Sequence, residues 1–271
     1  MGYEAQTWWV TGASSGIGAA LARELAARGA EVILSGRDEA RLAEVAGAIS
    51  TETLTLPFDV RDYDAMLAAT ERAIEWSGGL DGFVANAGVS QRSRATKTDI
   101  QVYRNIIDID LVSQIAATQA LLPHLTGRGS GKLVFVSSVA GKVGTPMRTA
   151  YSAAKFGLAG YADALRAELS QAGISVHVVY PGSTATNVSR NALTDDGSER
   201  GRSDAVIDGG IAPEQAATTM LDAIADGQRE IMVAEGMEAA LFEMRRTPDE
   251  LFDQIEAMVA DGYMENLEAD D

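Results

Sequence analysis

Tyr151 and Lys155, in the stretch YSAAK, stand four residues apart, a spacing that places two side chains on one face of a helix. With seven tyrosines and four lysines among 271 residues, such a pair is expected by chance far less than once. A phenol gives up its proton only well above neutrality, and each tenfold gain in acidity needs about 1.4 kcal/mol of preferential stabilisation of the phenolate. An ammonium one turn away supplies part of that field, so the pair suits a proton transfer near neutral pH. Ser138, at the end of the apolar run KLVFVSS, would lie close to the same place, and its hydroxyl can hydrogen-bond a carbonyl oxygen. Rival chemistries lack residues. The absence of cysteine removes a thiol nucleophile, a thiolate metal site and any disulfide, and no metal centre is expected. The two histidines, His124 in LLPHL and His177 within SVHVVY, sit where structural histidines sit.

The glycine-rich stretch TGASSGIG, residues 11–18, admits three readings. Gly12, Ser14 and Gly16 fit the G-x-S-x-G elbow of serine hydrolases, which requires a histidine partner that neither His124 nor His177 is placed to supply. A phosphate-binding Walker loop requires Lys then Ser or Thr after the second glycine, where the chain has Ile17, Gly18 and Ala19. A dinucleotide site requires a strand before the loop, a helix after it and a βαβ continuation, and the pattern supplies all three. The helix beyond Gly18 would offer unpaired N–H groups and a positive dipole end to a pyrophosphate. At the end of the second strand the chain reads VILSGRDEARL, with Arg37 where an acid for a ribose hydroxyl is often found. A guanidinium there suits a 2′-phosphate, which points to NADP(H) rather than NAD(H), with Arg41 one turn on as an assistant. An oxidised nicotinamide would add positive field at Tyr151.

The elements that must position these residues follow from periodicity. Strand-like runs alternate with helix-like ones: TWWVT (7–11), EVILS (31–35), TLTLPF (53–58), LDGFVANAG (80–88), KLVFVSS (132–138), SVHVVY (175–180) and EIMV (230–233). Between them lie a helix through Ile17, Leu21 and Leu25, helices capped by Asp38 and Asp62, a long helix from about 99 to 125, one from Tyr151 to about Gln171, and one opened by Pro213. This is the signature of an α/β fold, a Rossmann-like doubly wound parallel sheet of about seven strands in a single domain. The polar run 187–212 is too long for an ordinary connection, so it is either a disordered insertion or a lid over a site, and its place directly after a strand end favours the lid. Thr247 and Glu250 form a capping box before an amphipathic helix bearing Leu251, Phe252, Ile255, Met258 and Val259, the core of an acidic helical tail over about 236–271.

In order and spacing, TGASSGIG, FDV (58–60), NAG (86–88), SS (137–138), YSAAK and PGSTAT (181–186) resemble the short-chain dehydrogenase/reductase family over about residues 6–235. The resemblance implies an NADP(H)-dependent oxidoreductase that interconverts a ketone or aldehyde and an alcohol. By it Tyr151 is the general acid/base, Lys155 binds the nicotinamide ribose and tunes the tyrosine, and Ser138 orients the substrate. Gly12, Ser14, Ser15, Gly16, Ile17, Gly18, Val60, Ala87, Gly88, Pro181 and Gly182 would shape the cofactor site. Asp59 would contact the adenine, Asn86 would line the cofactor, and Thr184 and Thr186 would hold the carboxamide. The family usually carries an asparagine in the long helix for a water relay to the lysine; here IDIDLVSQ places Asp110 there. The alternative is a non-catalytic NADP-sensing or interaction protein on the same fold. A homodimer or homotetramer built on the long helices is also implied.

The formal charge of −17 argues against a nucleic-acid partner, and any bound phosphate would need a local basic site. No apolar run exceeds strand length, so no membrane-spanning helix is expected, and the N-terminal residues do not read as a signal peptide. These features describe a soluble cytoplasmic protein acting on a small molecule. Val139, Val143 and Met147 flank Ser138 and suggest a partly apolar substrate pocket.

Overall fold

The computed structural model describes residues 2–243 together with 257, 260 and 261. Seven parallel strands form one sheet: β1 (Thr7–Thr11), β2 (Glu31–Gly36), β3 (Thr53–Pro57), β4 (Gly82–Ala85), β5 (Gly131–Val136), β6 (Ile174–Pro181) and β7 (Glu230–Val233), in the order β3-β2-β1-β4-β5-β6-β7. The inner strands read as near-continuous apolar runs because both faces are covered, and successive residues serve opposite cores, while the edge strands β3 and β7 are only partly buried. Trp8, Val10, Val32 and Leu34 join the layer with α1 (Gly16–Ala27), α2 (Glu39–Gly47) and α8 (Pro213–Ala225). Trp9 and Ile33 face α3 (Tyr63–Ser77), α5 (Ser113–Arg128) and α6 (Thr149–Glu168). Asp38 and Asp62 cap as their positions predict, accepting from Arg41 N and Ala65 N at 3.0 Å each. The strand order reverses direction between β1 and β4, so a crevice opens at their carboxyl ends, where open α/β sheets bind ligands.

The long helix differs from its expectation in an instructive way. It runs from α4 (Ile100–Ile107), capped by Asp99, through a π turn at Asp108–Val112 into α5. The extra residue of a π turn re-aims side chains within an otherwise regular helix, and here Asp110 ends fully buried. Taken whole, Ile100–Arg128 is long and apolar enough by length and composition to cross a membrane, at a mean hydropathy of 1.2 over 18 residues. The expectation that no segment would pass rested on uninterrupted runs, whereas this helix gathers its hydropathy from dispersed residues. Val102, Ile106, Ala117, Leu121 and Leu125 are buried against this fold.

The polar run 187–212 folds back as irregular chain with one short helix, α7 (Ala205–Asp208), and packs on the loop after β4. Gln91 bridges to Leu193, and Arg92 pairs with Asp204. Arg200 donates to Asp204 Oδ1 and Ser189 Oγ at 2.7 Å each, and Ser189 Oγ donates to Asp204 Oδ2 at 2.8 Å. These bonds hold Asp204 well below the usual carboxylate range, Arg200 contributing most. After β7, α9 (Gly236–Glu243) turns back toward β6. The capping box at Thr247 and Glu250 and most of the amphipathic tail lie outside the described residues.

Candidate active site

The chain leaves β1 at Thr11 and turns through Gly12 at φ 66 before α1 begins. A Cβ on Gly18 would stand 2.3 Å from Gly12 O and 2.5 Å from Asn86 Nδ2, so only glycine lets the helix approach this closely. Asn86 ties the two strand ends together: its Nδ2 donates to Thr11 O at 2.9 Å and its N to Thr11 Oγ1 at 3.0 Å. Ser15 places no side-chain cap on α1 and no acid occupies the first turn, so the helix's N-terminal N–H groups are left for an anion. Thr186 leans across Gly16, where a Cβ would meet its Cγ2 at 3.1 Å.

A cavity of about 1000 Å³ runs from this cradle along the sheet crest. The catalytic and cofactor-binding residues nominated from the sequence all line it, among them Gly12, Ser14, Ser15, Gly16, Ile17 and Gly18 of the cradle together with Ser138, Tyr151 and Lys155. Arg37 and Arg41 line it too; Arg41 is 3.3 Å from Asp38, while Arg37 has no ion pair among the described residues. Asp59 is engaged by Arg61 through Nη2 at 2.7 Å and Nε at 3.1 Å. That hydrogen bonding holds its carboxyl down at about 2 against the opposing effect of burial, and Arg37 adds a smaller pull.

Ser137 Oγ donates to Lys155 O at 2.9 Å and so fastens β5 to α6. Ser138 Oγ accepts from Ala140 N at 3.1 Å and donates to Pro181 O at 3.3 Å. α6 starts two residues before Tyr151 and ends at Glu168, a little earlier than its periodicity suggests. Lys155 Nζ lies 5.6 Å from the Tyr151 ring centre, donates to Val136 O at 3.0 Å and approaches Asp110 Oδ2 to 3.2 Å. That last contact is an ion pair at a poor hydrogen-bond angle, since Oδ2 has no hydrogen-bond partner. Asp110 Oδ1 accepts from Val89 N at 2.8 Å. Burial pushes the Asp110 carboxyl up, and Lys155 pulls it the other way. A Cβ on Gly88 would lie 2.8 Å from Asp110 Oδ2 and 3.4 Å from Lys155 Nζ, so glycine makes room for the pair.

Among the lining residues that escaped the sequence reading are Glu238 and Arg148. Glu238, from α9, accepts from Ser183 N at 2.7 Å and Ser183 Oγ at 3.1 Å, closing the PGSTAT loop from 55 residues away. No local signal marks it. Arg148 lies three residues before Tyr151, a helical spacing that could have flagged it. Of the apolar residues expected near Ser138, Val139 lines the cavity, whereas Val143 and Met147 do not. The histidines are structural. His124 Nε2 accepts from Leu80 N at 3.3 Å, and His177 is buried between Gln228 O and Ser175 Oγ.

A seven-stranded parallel sheet with this crest and glycine cradle defines a class of fold, and comparison with known proteins agrees. The short chain dehydrogenase family model matches residues 6–197, and the chain belongs to the short-chain dehydrogenase/reductase family of oxidoreductases. It is 37% identical over 234 residues to dehydrogenase/reductase SDR family member 7B of Danio rerio, covering 83% of this chain and 76% of that one. It is 36% identical over 233 residues to an Anopheles gambiae SDR family protein 7-like, covering 83% and 74%. A short-chain dehydrogenase structure from Streptomyces avermitilis superposes with a TM-score of 0.79 at 25% identity, over 98% of this chain and 100% of that one. A Burkholderia phymatum structure, described in complex with NAD, shares the fold at a TM-score of 0.80 and 21% identity, over 92% and 98%.

Proposed function

We propose that the protein is an NADP(H)-dependent oxidoreductase interconverting a ketone or aldehyde and an alcohol. The observation that supports this reading is that Ser138, Tyr151 and Lys155 line the same cavity as the glycine cradle and Arg37. The residues fit a dinucleotide: Gly12 and Gly18 leave backbone approachable where a Cβ would intrude, and Arg37 suits a 2′-phosphate. A bound nicotinamide supplies or accepts the hydride. In the reducing direction, Ser138 Oγ turns from its long bond to Pro181 O toward the substrate carbonyl oxygen, and that oxygen takes the Tyr151 hydroxyl proton. Lys155, held by Val136 O and beside Asp110, directs its remaining N–H toward the cavity and keeps positive charge next to the phenol. The segment 187–212, several of whose residues line the cavity, acts as a lid that excludes water.

The test is NADPH oxidation, followed by absorbance, over a panel of ketones and aldehydes, with wild-type protein and Tyr151→Phe. Loss of the hydroxyl alone should lower kcat by about 10²- to 10⁴-fold while NADPH affinity stays close to wild type. Retention of more than about a tenth of kcat would remove Tyr151 from the proton-transfer role. NADPH binding with no turnover of any carbonyl would favour the non-catalytic reading.

A further inference from the structure

Arg148 is a charged lining residue of the cavity that the proton-transfer machinery leaves unexplained. It lines the same cavity as Ser138 and Tyr151, immediately before α6. Its Nε is buried with no hydrogen-bond partner, and among the described residues the guanidinium forms no ion pair. The two nearby carboxylates that could neutralise it are committed elsewhere. Asp204 receives Arg200, Arg92 and Ser189, and Glu238 spends both oxygens on Ser183. Burial and the neighbouring Arg92 disfavour the cation and pull its pKa below the ordinary arginine value, although Tyr151, Asp204 and Glu238 oppose this.

A partly buried guanidinium with an unsatisfied Nε and no ion pair among the described residues is costly, and in a chain of net charge −17 an acidic partner would have been easy to provide. The chain also reaches Arg148 through Met147, a non-glycine residue at φ 64, in the left-handed region that side chains rarely adopt. Backbone of this kind persists where the surroundings enforce it, often at ligand sites. Resting on the oxidoreductase reading, we infer that Arg148 is a specificity residue that pairs with an oxyanion, a carboxylate or phosphate group, on the carbonyl substrate. The open edge of the guanidinium meets that group while the carbonyl lies between Ser138 and Tyr151.

The test compares a keto acid with its methyl ester, and a phosphorylated ketone with its dephosphorylated counterpart, in wild type, Arg148→Gln and Arg148→Lys. Wild type should prefer one charged member, and which pair shows the preference distinguishes carboxylate from phosphate. Arg148→Gln should reduce the charged-to-neutral ratio of kcat/KM by roughly 30- to 1000-fold, mainly through KM, and Arg148→Lys should restore part of it. Equal losses for both members, or a wild-type preference for the neutral ones, would overturn the inference. Binding supplies a second readout. With saturating NADP⁺, malonate or inorganic phosphate should raise the melting temperature of wild type beyond a sodium chloride control, and not that of Arg148→Gln. Probe binding that needs Arg148, without turnover of any carbonyl, would sink the oxidoreductase reading and keep the anion site. Turnover with neither charge discrimination nor probe binding would do the reverse. If Arg148→Gln fails to fold, wild type and Arg148→Lys still decide the outcome through the charge ratio and the probes.

Discussion

Asp110 is the residue at which this site departs from what the sequence pattern leads one to expect. A neutral asparagine would give Lys155 a hydrogen-bonding neighbour without charge; the carboxylate lies 3.2 Å from the ammonium in a place sealed from solvent. Where ionised, Asp110 offsets part of the positive field that favours the phenolate of Tyr151, although burial pushes its carboxyl up. Asp110→Asn is nearly isosteric and can keep the bond from Val89 N. The variant should therefore carry the pH profile of kcat/KM for alcohol oxidation to lower pH, because a proton-accepting phenolate forms more readily once the nearby charge is gone. A profile that is unmoved, or moved upward, would show that Asp110 acts as a neutral acid or only as packing. The residue type was plain in the sequence. Its nearness to Lys155 was implied only by the family resemblance; residue spacing alone does not announce it, because the π turn at Asp108–Val112 adds an extra residue to the helix there.

Among the elements, the strands and capped helices were legible because each carries its cause locally. Buried inner strands are continuous apolar runs, and Asp38 and Asp62 announce helix starts by the backbone N–H groups they accept, as Asp99 does in the structure without having been read as a cap. The segment 187–212 was legible only as an anomaly of length. What fixes it joins residues far apart in the chain, above all the pairing of Arg92 with Asp204. The Asp204 carboxyl is held below its ordinary range, so the stability it contributes is present above the unfolded carboxylate's pKa and fades as pH falls toward the folded one. Asp204→Ala would leave two guanidinium groups without their acceptor and ease local opening by about 2 kcal/mol. Limited proteolysis at neutral pH should then cut within 187–212 about 30-fold faster than in wild type. An unchanged rate would mean that the bridges through Gln91 and Ile211, rather than the charge cluster, hold the segment down.

For the whole molecule, the sheet's polarity and the charge distribution act together. All seven strands run parallel, so the crest gathers Gly12, Asn86, Ser138 and Gly182 from chain positions up to 170 residues apart into one crevice. That convergence is why motifs at strand ends point to one cavity, and why Glu238, which arrives from a helix beyond the last strand, stayed hidden. Over the crevice lies the field of a chain carrying −17, which repels a phosphate-rich dinucleotide at long range. Binding must then rest on short-range donors: the unclaimed N–H groups of α1 and the cation of Arg37, which faces the cavity without an ion-pair partner among the described residues. Arg41 is a weaker substitute, because Asp38 already draws on its charge at 3.3 Å. Removing Arg37 exposes a 2′-phosphate to the background field with no compensating pair, whereas NADH has no such group to lose. Arg37→Ala should accordingly raise the Kd for NADPH by roughly 10- to 100-fold and leave that for NADH within a few-fold, as read by cofactor fluorescence titration. Parallel losses for the two cofactors would mean that Arg37 shapes the adenine end of the cavity instead of reading the phosphate.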